Sequence, residues 1–252
     1  MLLRDKVAII HGAAGQIGST VARRFAAEGA RLFLCGRTAD DVLALAAELR
    51  AAGHEAEGHQ VDALDGDAVE AHAAMAFDRA GRIDVGFNAV GFDFVQGVPL
   101  LDIDVADFMF PITTGPQSQF LTSRAAARHM GPGGVVLTLS ASPARLAVAG
   151  TSGFAVSLAA IEALTRTLSA ELGPKGIRVV CLRPHRIGET LKAAPDLPMD
   201  PDKFIGFLED MTLLKRLPTL DDVASAAAFM ASDQAAAITG AVANLTCGMA
   251  VD

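Results

Sequence analysis

Short apolar runs alternate along the chain with longer stretches in which apolar residues recur every three or four positions. The runs have the length of buried strands, and the longer stretches have the length and period of helices. The predicted strands are Val7–Ile10, Leu32–Cys35, Gly58–Val61, Ile83–Phe87, Val135–Leu139, Ile177–Leu182 and Ala241–Leu245. The predicted helices are Gln16–Glu28, Ala39–Ala52, Ala68–Ala80, Thr114–Met130, Thr151–Leu172 and Leu220–Ser232.

Strands that are apolar throughout and are separated by helices indicate a parallel sheet covered on both faces. With right-handed crossovers, this order predicts an α/β, doubly wound Rossmann fold of about seven strands. No linker or repeat divides the chain, so residues 1–252 are expected to form one NAD(P)-binding domain. The segment Pro195 to Pro201 is predicted to be a loop above the carboxyl ends of the strands.

Composition narrows the function classes. The formal net charge is -8 and no Lys/Arg cluster occurs, which argues against nucleic acid as a partner. No apolar run reaches the length of a membrane span, and the N-terminus does not resemble a signal peptide, so a cytoplasmic protein with no membrane partner is expected. The spacings of the cysteines and histidines predict neither a disulfide framework nor a metal set. These residues are Cys35, Cys181, Cys247, His54, His59, His72 and His129.

A glycine-rich turn joins the first strand to the first helix. Gly12, Gly15 and Gly18 are spaced three residues apart, directly after the strand. Glycines let the backbone approach a pyrophosphate, and the helix N-terminus offers unpaired N–H groups and the positive end of its dipole. The turn therefore predicts a dinucleotide site.

The end of the second strand bears on cofactor choice. An acidic residue there would bind the ribose 2′-hydroxyl of NAD, whereas an arginine suits the 2′-phosphate of NADP. Gly36 stands in place of the acid, and Arg37 follows it. NADP(H) is therefore expected in preference to NAD(H).

Together these features resemble the short-chain dehydrogenase/reductase family over nearly the whole chain. Val61-Asp62 and Asn88-Ala89-Val90-Gly91 are similar to motifs that border the cofactor in that family. One departure is Gln16, which stands at the family's middle glycine. The resemblance implies cofactor contacts from Gly12, Gly15, Gln16, Ile17, Gly18, Arg37, Asp62, Ala63, Asn88, Gly91, Pro184 and Ile187.

The family's catalytic positions hold other residues here. Alignment on the neighbouring motifs places Gly115, Ala141, Phe154 and Leu158 where the family has Asn, Ser, Tyr and Lys. The chain contains no tyrosine, and it has no lysine between Lys6 and Lys175. The usual carbonyl/alcohol redox activity is therefore expected to be missing. Cofactor binding is expected to be weaker, because the lysine that holds the ribose is replaced and Gln16 crowds the pyrophosphate.

Two residues are candidate substitutes for the lost proton donor. Ser142 lies beside the vacated serine position, and His185 follows Pro184 at the end of the sixth strand, near the expected nicotinamide. Imidazole acts as acid or base near neutral pH. Three hypotheses remain: a cofactor-binding protein without ordinary redox activity, an NADP(H)-dependent oxidoreductase that uses His185 or water, and a non-redox enzyme of lyase, dehydratase or cyclase type. The family resemblance implies a homo-oligomer, a tetramer or a dimer, and the apolar patch at the vacated positions suggests a small apolar ligand.

Overall fold

A computed structural model describes residues 1–192 and 200–251. Their seven strands form one parallel sheet in the order β3-β2-β1-β4-β5-β6-β7. The order reverses between β1 and β4, which is the topological switch point of a doubly wound fold. The strands are β1 Val7–His11, β2 Arg31–Gly36, β3 Ala56–Gln60, β4 Ile83–Asn88, β5 Met130–Leu139, β6 Arg178–Pro184 and β7 Val242–Leu245.

Eight α-helices occur in the described part of the chain, and most of them cover the two faces of the sheet. On one face, apolar side chains of α1, α2 and α8 form the largest core cluster with the strands, and on the other face α3, α4 and α5 do the same. The helices are α1 Gln16–Ala27, α2 Ala39–Ala51, α3 Gly66–Ala80, α4 Val105–Arg128, α5 Ser152–Leu172, α6 Gly188–Lys192, α7 Pro201–Met211 and α8 Leu220–Ala231. The predicted single-domain Rossmann fold is confirmed.

The largest difference from the predicted elements concerns α4, which begins at Val105 and not at Thr114. Pro111 and Pro116 lie inside this helix, where each removes one backbone hydrogen bond. Packing outweighs that cost, since α4 lies against α5 so closely that a Cβ on Gly153 would be 1.8 Å from the carbonyl oxygen of Phe108. Local propensity therefore gives the wrong start for this helix.

Two helices were not predicted, α6 and α7. The start of α7 carries a recognisable signal, because Asp200 caps the helix by accepting a hydrogen bond from the backbone N–H of Lys203, and Pro201 occupies the first turn. Of the predicted loop from Pro195 to Pro201, residues 195–199 lie outside the described residues, and Pro201 belongs to α7. Among the described helices, none is both long and apolar enough to cross a membrane.

Candidate dinucleotide site

A cavity of about 370 Å³ lies above the carboxyl ends of β1, β2 and β4. It spans the switch point between β1 and β4, where open α/β sheets bind their ligands. Its wall is formed by backbone and side chains from four strand-to-helix connections and the starts of the helices that follow them. The lining residues are His11, Gly12, Ala14, Gly15, Gly36, Arg37, Thr38, Asp41, Val61, Asp62, Ala63, Leu64, Ala89, Val90, Gly91, Phe92, Asp93, Phe110 and Thr114.

The glycine turn forms the floor of the cavity at the start of α1. Gly12 has a φ of 70°, and a Cβ there would lie 2.7 Å from the backbone of Ala89. A Cβ on Gly18 would lie 2.1 Å from the carbonyl oxygen of Gly12, so both positions require glycine. No side chain caps the N-terminus of α1 and its first turn holds no acidic residue, which leaves N–H groups for an anion.

Gln16 and Ile17 begin α1 beside this turn. The side chain of Gln16 is exposed and does not line the cavity, so it does not crowd the expected pyrophosphate position in this structure. Ile17 packs against the main apolar core. Both residues lie in the first turn of α1, where their backbone N–H groups are available to an anion.

The ribose end of the cavity is formed by the connection from β2 to α2. A Cβ on Gly36 would lie 2.9 Å from Cγ1 of Val42, which disfavours an acidic side chain at this position. Arg37 is exposed, and among the described residues its guanidinium makes no hydrogen bond or ion pair. Its carbonyl accepts a hydrogen bond of 2.9 Å from Gln60, which holds the connection in place. Asp41, also exposed, lines the same end.

The connections after β3 and β4 complete the wall. Asp62 lines the cavity, and its carboxylate accepts a hydrogen bond of 3.0 Å from the N–H of Leu64. Ala63 and Gly91 also line the cavity. Asn88 is buried behind the wall, where it donates to Thr122 at 2.9 Å and accepts from the N–H of Val90 at 2.8 Å. Asn88 therefore shapes the loop that borders the cavity and does not face the cavity itself.

This geometry fits the adenosine diphosphate half of a dinucleotide. An uncapped helix end and a glycine cradle suit a pyrophosphate, and the unpaired guanidinium of Arg37 suits a further phosphate. The remaining predicted contacts, Pro184 and Ile187, are buried and lie outside the cavity, and Ile187 packs in the main core. The cavity therefore does not extend to the end of β6.

Aromatic rings pack at two of the positions, Gly115 and Phe154, that alignment with the family predicts to be catalytic. A Cβ on Gly115 would lie 2.7 Å from the ring of Phe92, so that ring occupies the space beside α4 where a side chain would project. The ring of Phe154 stacks on Phe94 at 3.8 Å between centroids and 4° between planes, and lies 5.8 Å from Phe92. The apolar patch that was expected to suit an apolar ligand is thus covered by Phe92 and Phe94 on its Phe154 side.

Ala141 and Leu158 lie behind these rings in a small apolar cluster. Leu158 is 3% exposed and packs with Ile161 and Cys181, and Ala141 and Phe154 border the same group. The side chains that contact Leu158 in this cluster are apolar apart from the Cys181 thiol. The cluster therefore holds α5 against the sheet.

Ser142 and His185 are brought together by the structure, as buried neighbours. The Ser142 hydroxyl lies 2.7 Å from Nδ1 of His185, and Nε2 of His185 has no hydrogen-bond partner among the described residues. Burial, and then the charge of Arg186, lowers the pKa of His185 to about 4, so the ring is neutral at pH 7. The neighbouring Ser140 donates to Glu162 at 3.1 Å and takes no part in this pair.

Several lining residues were not among the predicted contacts, notably Asp41, Phe92, Phe110 and Thr114. Thr114 was predicted to begin α4, but the first turns of that helix bring Phe110 as well to the cavity edge. Asp41 lies in α2, whereas for Phe92, Phe110 and Thr114 the sequence signal was position, because the segment after β4 was expected to border the site. Which of its side chains turn inward depends on the path of the chain.

Taken together, the sheet order, the glycine cradle and the cavity at the switch point define an α/β protein of the nucleotide-binding class. A family model described as enoyl-(acyl carrier protein) reductase matches residues 12–250. The short-chain reductase protein NovJ of Streptomyces niveus is 30% identical over 241 residues, which cover 94% of this chain and 91% of that protein. The chain belongs to the short-chain dehydrogenase/reductase family.

Solved structures agree with this assignment. A short-chain dehydrogenase/reductase from Serratia marcescens superposes with a TM-score of 0.87 at 27% identity, covering 100% of both chains. A short-chain dehydrogenase from Burkholderia cenocepacia, determined in complex with NADP, superposes with a TM-score of 0.86 at 28% identity over 99% of both chains.

Proposed function

We propose that this protein binds NADP(H) at the switch-point cavity but does not carry out the tyrosine-dependent carbonyl/alcohol redox reaction of its family. One observation carries the proposal: the cavity retains its anion-binding turn, whereas Phe92, Phe94 and Phe154 pack together at the vacated catalytic positions. When bound, the cofactor would supply a hydride. This chain has no tyrosine to supply the matching proton.

The charges around the cavity support NADP(H) over NAD(H). Arg37 is the cation at the ribose end, and its guanidinium is unpaired among the described residues. Gly36 leaves no acid at the strand end to select a 2′-hydroxyl. Asp41 opposes a phosphate there, but it is exposed, so solvent screens its charge. The vacated lysine position, Leu158, leads us to expect weaker binding than in relatives that retain the lysine.

Calorimetric titration with NADPH, NADP⁺, NADH and NAD⁺ tests the binding half of the proposal. We expect NADPH to bind more tightly than NADH, and we expect no oxidation of NADPH above the rate in buffer with a panel of aldehydes and ketones. Lack of binding of all four nucleotides would overturn the proposal. Turnover of an ordinary ketone at a rate typical of the family would overturn its redox half.

Arg37→Gln tests cofactor choice. Hydrogen bonds to charged groups contribute about 1.5–3 kcal/mol, so we expect NADPH affinity to fall about 10- to 100-fold. NADH affinity should change by less than about twofold, because NADH has no 2′-phosphate. Arg4→Gln, an exposed arginine before β1 and outside the cavity, is the matched control and should leave both affinities unchanged. An equal loss for both nucleotides would show that Arg37 does not read the 2′-phosphate.

The contact between Ser142 and His185 favours one alternative, an NADP(H)-dependent oxidoreductase in which His185 delivers the proton. Its Nδ1 is held by Ser142, and Nε2 is left without a described partner. A ring that is neutral at pH 7 suits this task less well than a tyrosine–lysine pair. NADPH oxidation that is present in the wild type and lost in His185→Gln would establish this alternative.

We also propose that the chain is a cytoplasmic homo-oligomer, a tetramer in preference to a dimer. Exposed apolar side chains lie on the two packed helices α4 and α5, among them Phe120 at 40% and Val156 at 46% exposure. Light scattering at micromolar concentration should give a multiple of the chain mass, and Val156→Glu should lower it. Leu43→Glu on α2, where the leucine is 50% exposed, is the matched control. A monomeric wild type would contradict the proposal.

A further inference from the structure

A row of metal-ligating side chains crosses three adjacent strands below the cavity. In the parallel register, His11 of β1 pairs with Cys35 of β2, and Cys35 pairs with His59 of β3. Residues in register on neighbouring strands project to the same face of a sheet. His72 of α3 lies over this row, with its ring 5.0 Å from that of His59 and 6.1 Å from that of His11.

Three of these side chains converge on one buried point. Sγ of Cys35 lies 3.2 Å from Nδ1 and 3.4 Å from Nε2 of His72. One ligand atom from each of His11, Cys35 and His72 lies within 4.8 Å of the other two. Nε2 of His11 is buried without a hydrogen-bond partner among the described residues, and His11 as a whole is 3% exposed. A buried polar atom without a partner is costly, so its retention calls for an explanation.

We propose that His11, Cys35 and His72 form a buried binding site for a soft transition-metal ion, Cu(I) or Zn(II). This inference is independent of the proposed function, since the cluster lies between the sheet and α3 and its residues do not include the glycine turn or Arg37. Thiolate and imidazole are the ligands that these ions prefer in proteins. His59 is the nearest candidate for a fourth ligand, and its Nε2 lies 3.7 Å from Glu57, the kind of carboxylate that orients a ligating histidine.

The spacings are compatible with a shared ion after small side-chain movements. Metal–sulfur and metal–nitrogen bonds of about 2.3 and 2.0–2.1 Å place the two ligand atoms roughly 3.5 Å apart in a tetrahedral site. The Cys35–His72 pair is already within a few tenths of an ångström of that value. The ligand atom of His11 lies within 4.8 Å of the other two, so its ring must close by at most about 1.5 Å. No described hydrogen bond holds its Nε2 in place.

The burial of all three ligands favours a metal ion of low charge. His11 and His72 are buried, which favours the neutral imidazole, and a neutral ring offers one nitrogen lone pair to a metal ion. The buried Cys35 thiol loses its proton when a metal ion binds, and that proton passes to water without electron transfer. Cu(I) with one thiolate leaves no net charge, whereas Zn(II) leaves one buried positive charge, which favours Cu(I).

His11 connects the proposed site to the dinucleotide cavity. This residue is 3% exposed, lines the cavity and also belongs to the cluster. Cys35 directly precedes Gly36 and Arg37, which form the ribose end of that cavity. Metal binding is therefore expected to influence the nearby nucleotide site, although it does not depend on nucleotide.

Competition titrations test the proposal on the purified full chain. The protein, as Cys247→Ser to remove the partly exposed thiol, is titrated against a chromophoric Cu(I) chelator under anaerobic reducing conditions, and separately against a chromophoric Zn(II) chelator. We expect one ion per chain, with Cu(I) bound more tightly, and near-ultraviolet absorption from the metal–thiolate bond. Binding of neither ion would overturn the proposal.

Variants establish which residues hold the ion. Cys35→Ala should weaken binding by more than about 100-fold, since even outer-shell partners of a metal are worth 10–100-fold. Cys181→Ala removes the other fully buried thiol, in another core cluster, and should bind as the parent does. His11→Thr removes the imidazole, retains a small polar side chain at the end of β1, and keeps the test valid if Cys35→Ala does not fold. Undiminished binding in His11→Thr and Cys35→Ala would overturn the assignment.

Discussion

The two ends of the expected cofactor site differ in what each has kept. At the dinucleotide end, Gly12, Gly15 and Gly18 maintain a backbone cradle in front of an uncapped helix, and Arg37 faces solvent. At the reaction end, the positions of the expected tetrad lie among the rings of Phe92, Phe94 and Phe154. One end is polar and accessible, and the other is filled by half-buried aromatic rings that pack against one another.

At the packed end, the side chains at several of the predicted catalytic positions fit against one another. A lost tyrosine alone would leave a phenylalanine at an otherwise polar pocket. Here Gly115 admits the ring of Phe92, Phe92 contacts Phe154, and Leu158 joins the apolar cluster on α5. These side chains pack against one another and so stabilise a single arrangement at this end. Restoring single catalytic residues should therefore cost stability before it gains any activity.

Leu158→Lys should have the largest effect on the packed end. The side chain is 3% exposed, so the variant loses leucine packing and also places an ammonium in apolar surroundings. We expect a loss of about 3–5 kcal/mol in the free energy of unfolding, measured by urea denaturation. The double variant Phe154→Tyr/Leu158→Lys should show no gain in ketone reduction.

The control for this experiment is Leu43→Lys on α2. Leu43 is 50% exposed, so the same substitution should change stability by less than about 0.5 kcal/mol. Restored turnover in the double variant would show that the packed end still accommodates the family's reaction, and the comparison between the two ends would fail.

Gly12→Ala should have the next largest effect, now at the accessible end. A Cβ there meets the backbone of Ala89 at 2.7 Å in addition to the strain of a φ of 70°. We expect a loss of about 2–4 kcal/mol in stability and loss of measurable NADPH binding. Gly53→Ala is the matched control, because Gly53 has a φ of 87° but open space around it, so it should cost only about 1–2 kcal/mol.

Gly115→Asn restores the family's side chain beside Phe92 and should cost about 1–3 kcal/mol by overpacking. Phe92→Ala removes the ring that the new side chain meets. In a double-mutant cycle, the pair should therefore be less destabilised than the sum of the single variants by about 1 kcal/mol. Strict additivity would show that Phe92 does not fill the vacated space.

The accessible end was largely predictable from the sequence. A glycine turn is a local motif, since Gly12, Gly15 and Gly18 act through the backbone between one strand and one helix. Arg37 was placed at the ribose end by its position after β2 alone. The roles of Asn88 and Ile187 were harder to predict from the sequence. Whether a residue near the end of a strand faces the cavity or the core depends on the direction of its side chain.

The packed end and the histidine row depend on contacts between distant segments. Phe92 reaches Gly115 only because α4 starts at Val105 and folds back beside the segment after β4. His11 and Cys35 are scattered in sequence, yet both lie at the carboxyl ends of adjacent parallel strands. The parallel pairing of β1 and β2 could have placed His11 beside Cys35 from the sequence. The contact with His72 depends on how α3 packs on the sheet and could not be predicted in that way.

His185 offers the smallest and most specific test of the packed end. Its pKa in the folded protein is about 4, below the ordinary 6.5, because the ring is buried and Arg186 is close. Between pH 7 and pH 5.5 the unfolded chain therefore takes up a proton that the folded chain does not. The free energy of unfolding therefore decreases as the pH is lowered from 7 to 5.5. This group should contribute about 1 kcal/mol to that decrease, so His185→Gln should lose correspondingly less stability over the same interval.

Ser142→Ala keeps the buried ring and should retain most of the pH dependence, since burial is the main cause of the pKa shift of His185. If His185→Gln and the wild type show the same pH dependence of urea unfolding, the ring is solvated and the packed end is less closed than the structure indicates.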